Sequence, residues 1–306
     1  MFLTLRHLQN KKIVINFVEC KITTILSTMH YYDPKTDIVF KKIFGEHKNL
    51  TISLLNAVLK LEDGDQISDV EYLPSEIIPL TDGKRRSVVD VKCKVSDQIY
   101  FIVEMQMYWS ADFLRRVMYN CSKLYATLYN EGVRYYKMKK IFAINILNDV
   151  YQTKNISNYH RYTMSEVDNP ESVIPGFEVV CIELPKFKPQ DKAQGKMLRL
   201  WQSFLTSVNA GEDAESIPQE LMENSETKQA LELCQNLTEE ERRAYESFWD
   251  LESLNIDREN TVKEMGRAEG ARQQALAIAR KMLAKGMSVE EICEMTGLHA
   301  DEISEI

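Results

Sequence analysis

The sequence predicts a mixed α/β domain over residues 29–208, followed by an all-helical region over residues 209–306. Three observations carry this expectation. Ser87–Val95 and Ile99–Met107 each alternate apolar and polar residues with a period of two, the mark of a strand. Apolar residues recur at helical spacing on both sides of these segments. A composition break at Asn209-Ala210-Gly211-Glu212-Asp213 then opens a stretch that is helical and acidic.

The elements follow in chain order. Residues 1–28 show no caps and no sustained period, and Met29 precedes His30-Tyr31-Tyr32-Asp33-Pro34, which suits a natural start. Those first 28 residues are expected to be an upstream, non-native or disordered extension. Asp33-Pro34 opens the first helical stretch, with Pro early in the turn where its missing N–H costs little. Ile38, Phe40, Ile43, Phe44, Leu50, Leu54, Leu55 and Val58 continue it, and Gly45 is expected to split it into two short helices. Asp63-Gly64-Asp65 closes the segment. Ile67–Leu73 reads as a first strand, and Thr81-Asp82-Gly83-Lys84 as a turn.

In the first alternating segment Val89, Val91, Cys93 and Val95 share one face, and Asp90, Lys92 and Lys94 the other. In the second, Ile99, Phe101, Val103 and Met105 oppose Tyr100, Ile102, Glu104 and Gln106. Ala111–Asn130 reads as a helix ended by Glu131-Gly132. Lys140–Leu147 and Val179–Leu184 are apolar enough to be buried strands.

Joined by a three-residue loop, Ser96-Asp97-Gln98, the alternating strands form a hairpin that sets Val95 opposite Ile99 and Asp90 opposite Glu104. Two acids so placed repel each other unless a cation lies between them. Hard oxygen ligands of this kind suit Mg²⁺, with Mn²⁺ as a substitute. The bland alternative is that both acids are ordinary outward residues of a half-exposed sheet, and a two-residue loop instead pairs Asp90 with Met105 and destroys the site. The loop alone does not choose between these registers.

Composition narrows the function classes. With 44% hydrophobic and 27% charged residues, the chain has the balance of a globular protein and not of a disordered one. The six cysteines include no C-x-x-C pair, so neither a zinc site nor a disulfide framework is expected. No apolar run is long enough to span a bilayer and no secretory signal is evident, so the expected location is cytoplasmic, with no membrane partner. The net charge of −8 speaks against a nucleic-acid binder only until it is divided along the chain. Residues 1–204 carry a net +5 and residues 205–306 a net −13, so the acidic excess lies in the C-terminal third.

Asp90, followed fourteen positions later by Glu104-Met105-Gln106, resembles the D…(D/E)-x-K signature of PD-(D/E)XK nucleases, with Gln in place of Lys. Thr36-Asp37-Ile38-Val39-Phe40-Lys41-Lys42-Ile43-Phe44-Gly45 resembles the opening helix of the Rpn family of recombination-promoting nucleases, which is also linked to transposases. Val89-Asp90-Val91-Lys92 and Ile102-Val103-Glu104-Met105-Gln106 are similar to its two core strands, and Arg116, Tyr119, Tyr125, Gly132 and Tyr135 to the helix and turn that follow. The resemblance covers residues 31–205 well and the tail more loosely.

The resemblance implies a restriction-endonuclease-like core, a mixed central sheet flanked by helices, that cuts DNA with a divalent metal and promotes recombination. It makes Asp90 and Glu104 metal ligands, with the backbone carbonyl of Met105 as a third. Gln106 stands where Lys is usual; its amide can orient water but carries no charge. Lys92, on the strand face of Asp90, is a candidate for the missing charge, and Asp37 for a further acid near the metal. Arg116 and Tyr119, one turn apart on a helix, are candidates to meet DNA phosphate or to buttress Gln106. Lys84-Arg85-Arg86 is either a phosphate clamp or a solvated charge run. A nuclease fold that has lost catalysis and only binds DNA or a partner is the competing expectation.

In the C-terminal region Ser288-Val289-Glu290-Glu291 fits a capping box, the helix it starts ends near Thr296-Gly297, and another spans about Ala300–Ile306. This resembles a helix-turn-helix, but its second helix offers Asp301, Glu302 and Glu305 and no Lys or Arg. A protein-contact or folding role is expected over groove reading. The charged segment Glu259–Lys285 is a candidate for self-association into a homo-oligomer.

Overall fold

The computed structural model describes residues 31–59, 61, 66–77, 87–96, 99–128, 139–191, 194–210 and 216–305. The expectations for residues 1–28, for Asp63–Asp65, for the turn at Thr81–Lys84 with Arg85 and Arg86, and for Glu131-Gly132 and Tyr135 fall outside these residues.

The first two helices are α1 (Asp37–Glu46) and α2 (Lys48–Leu59). Asp37 sits in the first turn of α1, where a negative charge suits the helix dipole. The break falls at His47 and not at Gly45. His47 leaves the helical conformation, and its ring Nδ1 lies 2.8 Å from the Lys42 carbonyl exposed at the helix end. Gly45 stays helical where α1 passes close to the sheet, and a Cβ there would lie 3.8 Å from Val91. Val39, Phe40, Ile43 and Phe44 are fully buried. Each such side chain stabilises the docked helix by roughly 1.5–3 kcal/mol.

The strands are β1 (Glu71–Tyr72), β2 (Glu76–Ile77), β3 (Ser87–Val88), β4 (Val91–Ser96), β5 (Ile99–Gln106), β6 (Lys140–Leu147), β7 (Tyr159–Ser165) and β8 (Val173–Glu183), with helix α3 (Phe113–Thr127) between β5 and β6. Six of them form one mixed sheet in the order β1-β4-β5-β6-β8-β7, and β2 pairs with β3 apart from it. Neighbours β5, β6 and β8 run parallel, and β4 and β7 run antiparallel beside them. The expected strand over Ile67–Leu73 shrinks to Glu71–Tyr72. The expected Ser87–Val95 strand is broken at Val89-Asp90, because Ser87 and Val88 pair with β2. Strands β2 and β7 were not anticipated from the sequence.

Both faces of the central strands are covered, which is why the alternation misleads. Tyr100 and Ile102, on the expected polar face, are as buried as Phe101 and Val103 on the other. Tyr100 and Ile102 pack in one cluster with Phe113, Val117, Cys121 and Leu124 of α3.

Helices α4 (Lys196–Ser207), α5 (Gln219–Glu223) and α6 (Ser225–Gln235) follow, then α7 (Glu239–Leu283), α8 (Val289–Thr296) and α9 (Ala300–Ser304). The chain divides into two compact units at Arg242–Arg243. Within the second unit Ala279, Ile292, Leu298 and Ile303 form a small core. The capping box is present: Glu291 donates its N–H to Ser288 Oγ, and the Ser288 N–H donates to Glu291 Oε2 at 2.9 Å. Gly297 closes α8 with φ of 70°, the left-handed conformation that glycine adopts without strain. Among the described residues no helix is long and apolar enough to cross a membrane.

Candidate active site

The register of the β4–β5 hairpin decides whether the two acids meet. Nearest the turn, Ser96 pairs with Ile99, as in the two-residue loop. The register then shifts by one across Val95, and Lys94, Cys93, Lys92 and Val91 pair with Tyr100, Phe101, Ile102 and Val103. A bulge at Val95 therefore restores the alignment that a three-residue loop was expected to give. Continued by one residue, this alignment sets Asp90 beside Glu104. The Met105 N–H donates to Asp90 Oδ2 at 2.7 Å, so the side chain of Asp90 closes the ladder just beyond the end of β4.

Helix α1 brings Asp37 to the same place. Its carboxyl lines the same cleft as Asp90, and the two acids act on one another. One turn on, Lys41 Nζ lies 2.6 Å from Asp37 Oδ1 and 3.9 Å from Asp90 Oδ1. From the opposite side α3 contributes Arg116, which donates to Gln106 Oε1 at 2.5 Å, while Gln106 Nε2 makes a long 3.4 Å contact with the Met105 carbonyl. These side chains line a cleft of about 750 Å³, and Tyr119 and Asn145 line it too.

Burial pushes the Asp90 carboxyl up to about 7; the adjacent Asp37 adds to this, and the Met105 N–H and Lys41 oppose it. Burial likewise pushes Glu104 up to about 8, followed by the negative charge of Asp90, while Arg116 and Lys41 pull the other way. The site thus holds two acids reluctant to be charged together, within reach of two cations.

Of the side chains read from the sequence, the structure gathers Asp37, Asp90, Glu104, Gln106, Arg116 and Tyr119 in the cleft. Lys92 is not among those lining it. The strand turns Lys92 into the protein, where its ammonium donates to the Glu76 carbonyl at 3.0 Å. Several lining residues are not among the sequence candidates, and two of them bear on the acids. Lys41 was signalled by its i, i+4 spacing from Asp37. Asn145 lies beside Glu104 on β6, where its Nδ2 donates to the carbonyls of Ala143 and Val180; nothing in its strand sequence marks it.

Among the described residues, no group of three or more His, Cys, Asp or Glu side chains is gathered for a metal ion. The donor set is smaller, two carboxylates with the Met105 carbonyl between Glu104 and Gln106. Oxygen donors in that number suit a hard divalent cation that keeps several of its waters. Such an ion would also offset the burial and repulsion that raise both carboxyls, so the residues fit it.

The family model described as PD-(D/E)XK nuclease family transposase matches residues 34–264. The chain belongs to this nuclease family. A second model, the Rpn/YhgA-like nuclease family C-terminal HTH domain, matches residues 272–306, over the end of α7, α8 and α9. No curated relative and no solved structure matches the chain. The PD-(D/E)XK match spans both the helix that carries Asp37 and Lys41 and the hairpin that carries Asp90 and Glu104. The residues gathered in the cleft therefore all fall within the nuclease match.

Proposed function

We propose that this protein is a metal-dependent endonuclease that hydrolyses phosphodiester bonds of DNA, and that it acts in DNA recombination. The observation that carries the reading is the hairpin alignment that, continued one residue beyond Val91–Val103, sets Asp90 beside Glu104 in the cleft, both half-buried and both raised. Mg²⁺, or Mn²⁺ in its place, would be held by Asp90, Glu104 and the Met105 carbonyl, and supplies charge stabilisation at the scissile phosphate when bound. Arg116 holds Gln106 by one lone pair of Oε1, and the second lone pair accepts a proton of the attacking water and orients it. Arg116 and Tyr119 contact DNA phosphate at the mouth of the cleft, and the match to two nuclease-family models supports DNA as the partner. Lys84, Arg85 and Arg86, either a phosphate clamp or a solvated charge run by sequence, are candidates to add to these contacts.

Supercoiled plasmid incubated with the purified chain and Mg²⁺ or Mn²⁺ tests this. Nicking by the wild type that Asp90→Ala and Glu104→Ala each abolish supports the reading, and full activity in either variant refutes it. Gln106 in place of Lys favours a second reading, a fold that binds DNA without cutting it. Plasmid retarded in a gel but never nicked, with either metal, selects that alternative.

The C-terminal unit is read as a protein-contact module that self-associates. Along α7, Leu251, Leu254, Val262 and Met265 are exposed and fall within about a quarter-turn of one another. Residues 239–257 of this helix carry seven acids and two bases, and residues 258–283 six bases and three acids. Two copies packed antiparallel about residue 258 set opposite charges against each other and bring Leu251 onto Met265 and Leu254 onto Val262.

A further inference from the structure

The strand position two residues after Glu104 holds no positive charge, because Gln106 is neutral at any pH the fold survives. Its carboxamide oxygen is already engaged by Arg116. The nearest lysine along the hairpin, Lys92, is committed to the Glu76 carbonyl and is absent from the cleft lining. Yet the cleft does contain an ammonium. Lys41 reaches it from α1, with Nζ 2.6 Å from Asp37 Oδ1 and 3.9 Å from Asp90 Oδ1.

Three observations separate Lys41 from an ordinary surface lysine. Its charge reaches both acids of the hairpin, Asp90 and Glu104. Its side chain is 34% exposed and lines the cleft, with the ammonium held there by Asp37. Its backbone is fixed, because Phe40 and Phe44 on the same helix are fully buried and Phe44 packs edge-on against Trp201 at 5.2 Å. A flexible four-carbon stem on a rigid base can place an ammonium on a phosphate and take it off again.

We propose that Lys41 is a catalytic residue of this nuclease, supplying from the first helix the cation that the strand lacks. In that role its ammonium donates to a non-bridging oxygen of the scissile phosphate as charge builds up there. Asp37 is a positioning residue that holds the ammonium at the cleft wall until the phosphate arrives. The inference rests on the nuclease reading of the cleft and adds to it the identity of the cation.

The test uses the full chain, supercoiled plasmid and Mn²⁺, comparing wild type, K41M, K41R and D90A. K41M is expected to lower kcat about 100-fold or more, with KM for DNA within about threefold of wild type. K41R, which keeps the charge, is expected to retain at least about a tenth of wild-type kcat. Calorimetric Mn²⁺ affinity should be undiminished in K41M, since no ligand is removed, and lost in D90A. A melting curve for K41M that matches the wild type shows that the helix remains docked. The assignment of Lys41 is overturned if K41M cuts within about threefold of wild type while D90A is inert, or if K41M loses Mn²⁺ affinity in step with activity. A wild type that binds Mn²⁺ but cuts no DNA overturns the nuclease reading itself, and Lys41 with it.

Discussion

The Met105 N–H donates to Asp90 Oδ2 at 2.7 Å, so an acid of the cleft also fastens the hairpin that presents its partner Glu104. One carboxylate oxygen is spent on alignment, and the other faces Lys41. Asp90→Ala is therefore expected to do two kinds of harm, removing a ligand and loosening the end of β4. Asp90→Asn keeps an acceptor for Met105 and isolates the first effect. Both variants should lose cleavage by at least about 1000-fold, with only the alanine variant showing faster amide exchange at Met105.

Raised carboxyls make the site a source of instability at neutral pH. Asp90 and Glu104 titrate from ordinary values of 3.8 and 4.5 in the unfolded chain to about 7 and about 8 in the folded one. Between those limits the folded state binds more protons, so the contribution of these two groups to stability is fully present below about pH 4 and is lost as pH rises through 8, opposite in sign to that of carboxyls such as Glu178 and Glu183, which ion pairs and hydrogen bonds hold below their ordinary range. Removing either charge should therefore stabilise the metal-free protein. Asp90→Asn and Glu104→Gln are expected to melt a few degrees above wild type at pH 8, and at nearly the same temperature at pH 4, each kcal/mol being worth about 2–4 °C. Saturating Mn²⁺ should raise the wild type and leave these variants unmoved. Equal melting temperatures at pH 8 would contradict the pairing of the acids.

Arg116 donates to Gln106 Oε1 and makes no hydrogen bond to either acid among those described, so its loss is expected to act through Gln106 and the phosphate contact. Arg116→Ala is expected to lower kcat/KM about tenfold or more, with Mn²⁺ affinity unchanged by calorimetry. A parallel fall in metal affinity would show that Arg116 holds the metal site together instead.

The bulge at Val95 absorbs the mismatch between the turn and the site. Deleting Val95 would leave Lys94 opposite Tyr100 and Ser96 opposite Ile99, a continuous ladder with Asp90 still beside Glu104. The deletion is expected to retain cleavage within about tenfold of wild type, which plasmid nicking would show. Complete loss of cleavage with an intact fold would mean that the bulge shapes the site directly.

Self-association through α7 predicts a dimer that opposite charges cannot rescue once its apolar contacts are gone. Leu251→Glu and Met265→Glu should each convert dimer to monomer by light scattering, while neither changes the melting of the first unit. A wild type that is monomeric at 100 μM, roughly the top of the range for weak pairs, would end this reading.

The acids were legible because strand alternation and hairpin arithmetic are short-range and obey a period of two. They gave the Asp90–Glu104 alignment, although the loop behind it proved to be two residues with a bulge. Lys92 was misread for a tertiary reason. Alternation places it on the face of Asp90, but that face is roofed by α3 and the β2–β3 ribbon, and the lysine is folded away beneath them. Lys41 lies within the first helix, but no local pattern says that the first turns of that helix come to rest beside the start of β4. Strands β2 and β7 escaped notice because β2 is two residues long and β7 is mostly exposed on its outer edge, leaving no apolar run to see.

Because α1 carries Asp37 and Lys41 while the hairpin carries Asp90 and Glu104, neither piece is armed on its own. Only when Phe40 and Phe44 have sunk into the core does the wall that bears Asp37 and Lys41 stand against the hairpin, so the burial of two phenylalanines sets where two charged side chains end up.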